Sequence, residues 1–403
     1  MTDYIRGRRL VVAGALVTQF VVIGGLFAYG VLFKSLESDL GWSRTLLSAV
    51  SSLSFLIMGT LAIVGGQLND RFGPRWVLSF AGLCYGIGYA LLGSIDSPWQ
   101  LFVLGGLMLG IGMSTHDVVT LSVIARWFPA RRGVMSGVVK VGTAVGQMFV
   151  PLAATALIAA FGWRRACEVL GIVAGLALVL AAQGMRRDPP PTTPDVAKPR
   201  ATARATASAA PGLSFREIVR TRAFWTLCAI QFLFFPVLVT IPVHIVPHGT
   251  DMGLGAAVAA GMLSMIGAAS IAGRLVVGSA VDRIGARKAM LMCLVVLAAS
   301  LLILRATRDP AWLFAFAAVY GTAHGGLFTV VSPTAAEFFG MRAHGVAFGV
   351  ILFFGTIGGA FGPILAGRAF DQDGSYELAF SLLAGMAIMA FALAATLPRP
   401  RPG

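Results

Sequence analysis

The sequence predicts an all-α integral membrane protein, with twelve transmembrane helices arranged as two pseudo-symmetric six-helix bundles and both termini cytoplasmic. Three observations predict it. Apolar stretches of roughly 20 or more residues recur along the whole chain, each long enough to cross about 30 Å of hydrocarbon. Basic residues gather in alternate connections between those stretches. A set of residues also repeats between the two halves at one fixed displacement of 212 positions.

Composition supports the first observation. Of 403 residues, 57% are hydrophobic and only 12% charged, about half the charged share of a soluble domain. The net charge of +14 would suit a nucleic-acid partner, but the Lys and Arg residues lie between apolar segments, so the lipid bilayer is the partner they indicate. Cys84, Cys167, Cys228 and Cys293 stand singly inside expected spans and read as small core residues, with neither disulfide nor metal spacing. Arg6, Arg8 and Arg9 precede an apolar run that continues to about Phe33 without a small-residue cleavage site. It is expected to be a retained first span.

Spans are expected at about 10–33, 43–68, 75–94, 98–127, 131–160 and 163–186, then 222–246, 254–280, 286–305, 310–339, 343–369 and 375–397. Residues 1–187 form the first bundle and 213–403 the second. Between them DPPPTTPDVAKPRATARATASAAPG (188–212), rich in Pro, Ala and Thr, reads as a flexible cytoplasmic linker. LSFREIVRTR (213–222) reads as a short surface helix before the seventh span. With both ends inside, 22 Lys and Arg fall on the inner side and 7 on the outer, whereas acids divide 7 to 9. That bias orients the molecule, leaving Asp117, Lys140 and Arg274 within the membrane.

The repeat is the third observation. GQLNDRFGPR (66–75) and GSAVDRIGAR (278–287) share Gly, Asp-Arg, Gly and Arg at the same spacing; the same displacement relates Gly137 to Gly349, Gly146 to Gly358, Pro151 to Pro363 and Gly162 to Gly374. A fixed offset through half the chain means duplication, and two such halves place a solute site between them near the midplane. These loops resemble the signature of the major facilitator superfamily, and the resemblance covers essentially the whole chain. YGVLFKSLESDLGWSRTLLSAVSSL (29–53) and RWFPARRGVMSGVVKVGTAVGQMFVPL (126–152) further resemble the monocarboxylate and oxalate/formate transporter group. The loop residues Asp70, Arg71, Arg75, Asp282, Arg283 and Arg287 are expected to form a cytoplasmic gate. Asp70 and Asp282 lie beside helix starts, whose free N–H groups attract anions. By resemblance each carboxylate holds the halves together; otherwise it anchors the turn.

A charge in hydrocarbon costs several kcal/mol unless paired or hydrated, so each needs an account. Asp117 lies 12 residues before Pro129, the expected turn, and Lys140 lies 11 after it. At about 1.5 Å per residue both sit some 15 Å or more from the cytoplasmic end, within reach of an ion pair. His116 is expected about 100° away from Asp117 around the helix. Arg274, in IAGRLVVG, is again near the midplane, nine residues before Arg283. Its planar guanidinium offers two parallel donors matching a carboxylate.

The resemblance adds roles. An arginine at this place in the eighth helix binds the substrate carboxylate in the monocarboxylate transporter group, and Arg274 matches it. Lys140 aligns with a substrate-facing position, either as a second cationic anchor or only as the balance to Asp117. His324, with Phe328 one turn later, falls where family members face the cavity. His116, Phe27 and Phe328 complete the expected substrate contacts, while His244, His248 and His344 rank lower. Two departures matter: Phe27 and Ser270 stand where animal-type members carry the lysine and aspartate of proton coupling. The eleventh span lacks the lysine of oxalate exchangers, holding only Arg368 at its outer end. If protons are coupled, Asp117, His116 and His324 are the candidates.

The resemblance thus implies a secondary active transporter of a small organic anion, monocarboxylate in type. It would be driven by proton symport or by exchange for a counter-anion. A monomer in a bacterial inner membrane is the expected state. The alternative is a proton-coupled multidrug or hydrophobic-solute antiporter, although GQMFVP (146–151) separates the Gly and Pro that such exporters place together. No enzyme activity, cofactor or metal is expected: the five His are scattered, and GGLMLGIG (105–112) reads as span packing, not a phosphate loop.

Overall fold

Backbone N–H and C=O groups have no water to bond in hydrocarbon, so a chain this apolar must satisfy them within helices or a closed barrel. A computed structural model describes residues 2–128, 132–186, 212–306, 309–340 and 342–398; the side chains of 2–4, 63, 70, 125, 132–134, 310, 344 and 345 lie outside that description. The described residues are helical almost throughout. The elements are α1 (Thr2–Leu40), α2 (Arg44–Phe72), α3 (Pro74–Leu91), α4 (Pro98–Leu101), a π-helix (Phe102–Met108), α5 (Leu109–Ser114), α6 (His116–Trp127) and α7 (Arg132–Gly184). They continue as α8 (Phe215–Ile218), α9 (Arg222–Asp251), α10 (Ala256–Ile284), α11 (Ala286–Ala306), α12 (Pro310–Phe339), α13 (His344–Asp373) and α14 (Glu377–Thr396).

Several expected boundaries move. Helix α1 runs well past 10–33 at both ends. The span expected over 98–127 is interrupted twice, by the π-helix and by a turn at Thr115. Such interruptions loosen the i→i−4 ladder and often accompany function. Eleven helices among the described residues are long and apolar enough to cross a membrane, and Met135–Gly184 alone covers 50 residues. That is more than twice a crossing, about 75 Å at 1.5 Å per residue. Gly162 (φ 76°, ψ 161°) breaks it between the two spans expected at 131–160 and 163–186. The linker lies outside the described residues except for Gly212, which forms an isolated antiparallel bridge with Gly340, while Leu213 N donates to Phe339 O at 2.9 Å. The short surface helix is α8; the Ser214 hydroxyl and amide both donate to Glu217 and hold its carboxyl below the usual range.

The chain divides into two compact units. One comprises Met1–Ala197 and Pro242–Gly267; the other comprises Lys198–Ile241 and Ala268–Gly403. The first therefore takes in the end of α9 and the beginning of α10, beyond the 1–187 bundle the repeat suggests. Its core packs Tyr29, Leu32, Phe33, Tyr85 and Tyr89, all 5% exposed or less. The Tyr85 and Tyr89 hydroxyls donate to Val22 O and Gly25 O, so the rings stay buried without an unsatisfied phenol.

The duplication between the two halves of the sequence persists at atomic detail. Gly41 and Gly253, Gly73 and Gly285, and Gly162 and Gly374 are all 212 apart and all have positive φ, a conformation that L side chains rarely adopt. A Cβ on Gly146 would lie 2.3 Å from Phe20 O, and one on Gly358 would lie 2.3 Å from Phe232 O. Those two contacts are also related by 212 positions. In both units a small residue brings two backbones into direct contact. Gly146→Val and Gly358→Val are each expected to abolish the monodisperse folded fraction, whereas Gly137→Ala, with nothing within 4 Å, leaves the melting temperature within about 1 °C. Fluorescence-detected size exclusion after a heating series measures both.

Candidate functional site

In the first unit the turn at Thr115 ends α5 and restarts the chain as α6, presenting His116 and Asp117 at a helix start. Lys140 reaches Asp117 from α7, with Nζ 2.5 Å from Oδ1. Gln19 of α1 closes the group: its Nε2 donates to Asp117 Oδ1 (2.8 Å), Thr120 Oγ1 (3.1 Å) and the His116 carbonyl (3.1 Å). The equal depths inferred for Asp117 and Lys140 are met. His116 Nε2 lies 3.5 Å from Asp117 Oδ1, while Nδ1 is 2.5 Å from Met113 O, so an offset around the helix still leaves the two side chains close. Phe27, also in α1, is only 4% exposed.

In the second unit Arg274 projects from α10 and His324 from α12. The two helices cross without intervening side chains. A Cβ on Gly273 would lie 2.1 Å from Thr322 O, and one on Gly325 would lie 2.1 Å from Ser270 O. Both candidate side chains are adjacent to a contact glycine of this crossing. His324, 2% exposed, stands between Tyr320 (centroids 5.7 Å) and Phe328 (5.0 Å, edge-on). Arg274 is half-buried. Phe328 is 48% exposed and meets Phe235 edge-on at 5.9 Å.

A further charged group, not foreseen from sequence, lies in the first unit. Arg44, with its side chain 2% exposed, takes Glu37 through Nε (2.7 Å) and Nη2 (3.1 Å), and Asp251 through Nη1 (2.7 Å). Lys34 bonds the same two acids at 3.0 and 2.9 Å. Beside it Ser48 Oγ meets His244 Nε2 at 3.1 Å. No local spacing announces the group, because Asp251 follows Arg44 by over two hundred residues.

The loop motifs anchor within their own units. Arg75 Nε donates to Gln183 Oε1, and Arg287 Nη2 donates to Ala395 O. Donors and acceptors are again 212 apart. The anion on the start of α11 is Glu337, whose Oε2 accepts from the amides of Ala286 (2.7 Å) and Arg287 (3.1 Å), a favourable place for negative charge. Asp282, Arg283 and Arg71 are exposed, Arg71 lying 5.2 Å over Phe72. The side chain of Asp70 lies outside the description, as does that of His344. Among the described residues no group of three or more His, Cys, Asp or Glu could hold a metal. An apolar groove of about 410 Å³, walled by Leu68, Phe72, Trp76 and Phe80, contains none of the ionisable groups above.

Comparison with known proteins adds a family. The model described as Major Facilitator Superfamily matches residues 15–283 and 262–403. MFS-type transporter 1 of Ophiocordyceps sp. (strain BCC 1869) is 28% identical, with 87% of this chain and 78% of that protein covered. Monocarboxylate transporter 13 of Rattus norvegicus is 26% identical, covering 96% and 88%. Agnestins efflux protein AgnL12 of Paecilomyces divaricatus is 24% identical, covering 96% and 86%. Among solved structures, a variant of the nucleoside transporter NupG matches with a TM-score of 0.76 at 14% identity, covering 96% of this chain and all of that one. That likeness concerns the fold alone.

Two outcomes are expected from the charged groups. Asp117→Asn and Lys140→Met should each lower the melting temperature in detergent, and the double substitution should recover most of the loss, with a coupling of about 1–3 kcal/mol. Arg44→Ala should cost about 3 kcal/mol, because it leaves two partly buried carboxylates sharing Lys34 alone, and Arg44→Lys should recover only part of it. Thermal denaturation of the purified chain measures both.

Proposed function

We propose that this chain, which belongs to the major facilitator superfamily and is a multi-pass membrane transporter rather than an enzyme, carries a small organic anion of the monocarboxylate type by alternating access. Arg274 carries the reading. It is a guanidinium within an apolar span, next to a glycine that brings α10 against α12, the helix that carries His324. Keeping such a group in the membrane is expensive, and a carboxylate that accepts its two parallel donors offsets the expense. The resemblance to monocarboxylate transporter 13 supports the same class of cargo.

Lys140 is bonded to Asp117, which supports its reading as a balancing charge and favours a monoanion over a dianion. The proposed cargo contacts are Arg274, Lys140, His324, His116, Phe328 and Phe27. Proton symport would use Asp117, His116 or His324, the first two lying 3.5 Å apart; exchange for a second anion would need no proton there. The proposed topology is twelve crossings with both ends cytoplasmic, as a monomer in a bacterial inner membrane. The loop residues Asp70, Arg71, Arg75, Asp282, Arg283 and Arg287 are proposed as the inner gate.

The alternative is proton-coupled antiport of a hydrophobic or cationic solute, favoured by the side-chain exposure of Asp117 (41%) and by the resemblance to an efflux protein. Uptake into proteoliposomes separates the two. Arg274→Gln should reduce carboxylate uptake at least tenfold with lipophilic-cation transport untouched; the reverse dependence, on Asp117 and not Arg274, would establish the antiporter.

A further inference from the structure

The duplication relates more than glycines. Gln19 and Gln231 are also 212 apart, the first in α1 and the second in α9. Both are nearly inaccessible, at 0% and 2% exposed. In the first unit the amide nitrogen donates to Asp117 and Thr120, while Oε1 meets no donor among the described residues. The second unit replaces those surroundings: 212 positions after His116, Asp117 and Lys140 stand Phe328, Thr329 and Leu352. The charged partners are gone, but the amide remains.

Its setting is a small cavity in the second unit, walled by Gln231, Phe235, Phe328 and Leu352 among others. Gly355 makes room for the amide, since a Cβ there would lie 2.8 Å from Gln231 Nε2. Gln231 Oε1 is buried and meets no donor among the described residues. The cavity measures about 20 Å³, room for roughly one water-sized group. A buried carbonyl oxygen left unbonded costs on the order of 1–3 kcal/mol, so a molecule bringing a donor gains there and one without it does not.

We propose that this cavity is a subsite for a hydroxyl or N–H group carried on an apolar frame, with Gln231 Oε1 as the acceptor and the rings of Phe235 and Phe328 against the frame. The cargo is then an amphipathic acid bearing a donor remote from its carboxylate. The inference rests on the proposed function only for the acid. Sites that bond a hydroxyl reject analogues lacking it more strongly than apolar pockets reject a change of size, so Gln231 sets specificity more sharply than the aromatic wall.

The test is binding to the full chain in detergent, read by thermal shift and competition, with 4-hydroxyphenylacetate, phenylacetate, acetate and the neutral 2-phenylethanol. The hydroxylated acid should bind at least tenfold more tightly than phenylacetate. Gln231→Met, which keeps the volume, should erase that preference and leave phenylacetate binding within twofold. Gln231→Asn, with a shortened amide, gives a second variant should the first fail to fold. Leu352→Lys, which copies the first unit's charge into the cavity, should abolish 2-phenylethanol binding. Equal affinity for the two aromatic acids, or a preference that survives both Gln231 variants, overturns the subsite while leaving carboxylate transport intact. Gln231-dependent binding of 2-phenylethanol without binding of any acid supports the subsite and removes the anion reading instead.

Discussion

Every ionisable group placed in an apolar span must find its counterpart there, because hydrocarbon supplies none. This constraint organises the first unit. Asp117 is neutralised by Lys140 and further bonded by Gln19, so three separate helices are tied at one point. Arg44 is buried on the same terms, with two carboxylates and a second cation completing the balance. Each group demands partners from distant sequence, and satisfying that demand fixes how the helices pack.

Small residues supply the other half of the arrangement. Lipid tails are as apolar as leucine, so helices in a bilayer gain little from burying apolar surface and associate through close packing. Gly146 against Phe20 and Gly358 against Phe232 show the device in duplicate. Gly273 and Gly325 apply it next to Arg274 and His324, at a backbone crossing that a methyl group would break. The helix bearing Asp117 is relaxed in the opposite sense, with a π-helix and a turn ahead of the acid. A rigid cation and a loosened acid are suited to different tasks, one to position and the other to respond.

Duplication followed by divergence explains the remaining asymmetry. The two units keep the same turns, the same helix contacts and the same buried glutamine, while the charges around that glutamine differ. Arg75 and Arg287 likewise keep one tie to the end of a late helix, though Gln183 offers a side chain and Ala395 only a carbonyl. What the halves share is scaffold, and what they do not share is where recognition can differ.

The sequence by itself determined the helical membrane fold, the positions of most spans and the twofold repeat, because hydropathy and a fixed displacement are local or periodic quantities. It also placed Asp117 and Lys140 at one depth, since rise per residue on two arms of a hairpin is a matter of counting. Only the tertiary structure decided that the His116 imidazole lies 3.5 Å from Asp117, that Glu337 rather than a loop aspartate caps α11, and that Arg44 gathers Glu37 and Asp251. The physical reason is common to all three. Hydrogen bonds and ion pairs reach about 3 Å, and which polar groups come within that reach depends on helices that are neighbours in space and strangers in sequence. Gln19 and Gln231 lie between these cases: their displacement was present in the residue order, but the charged partners of the Gln19 amide nitrogen and the cavity beside Gln231 belong to the packing.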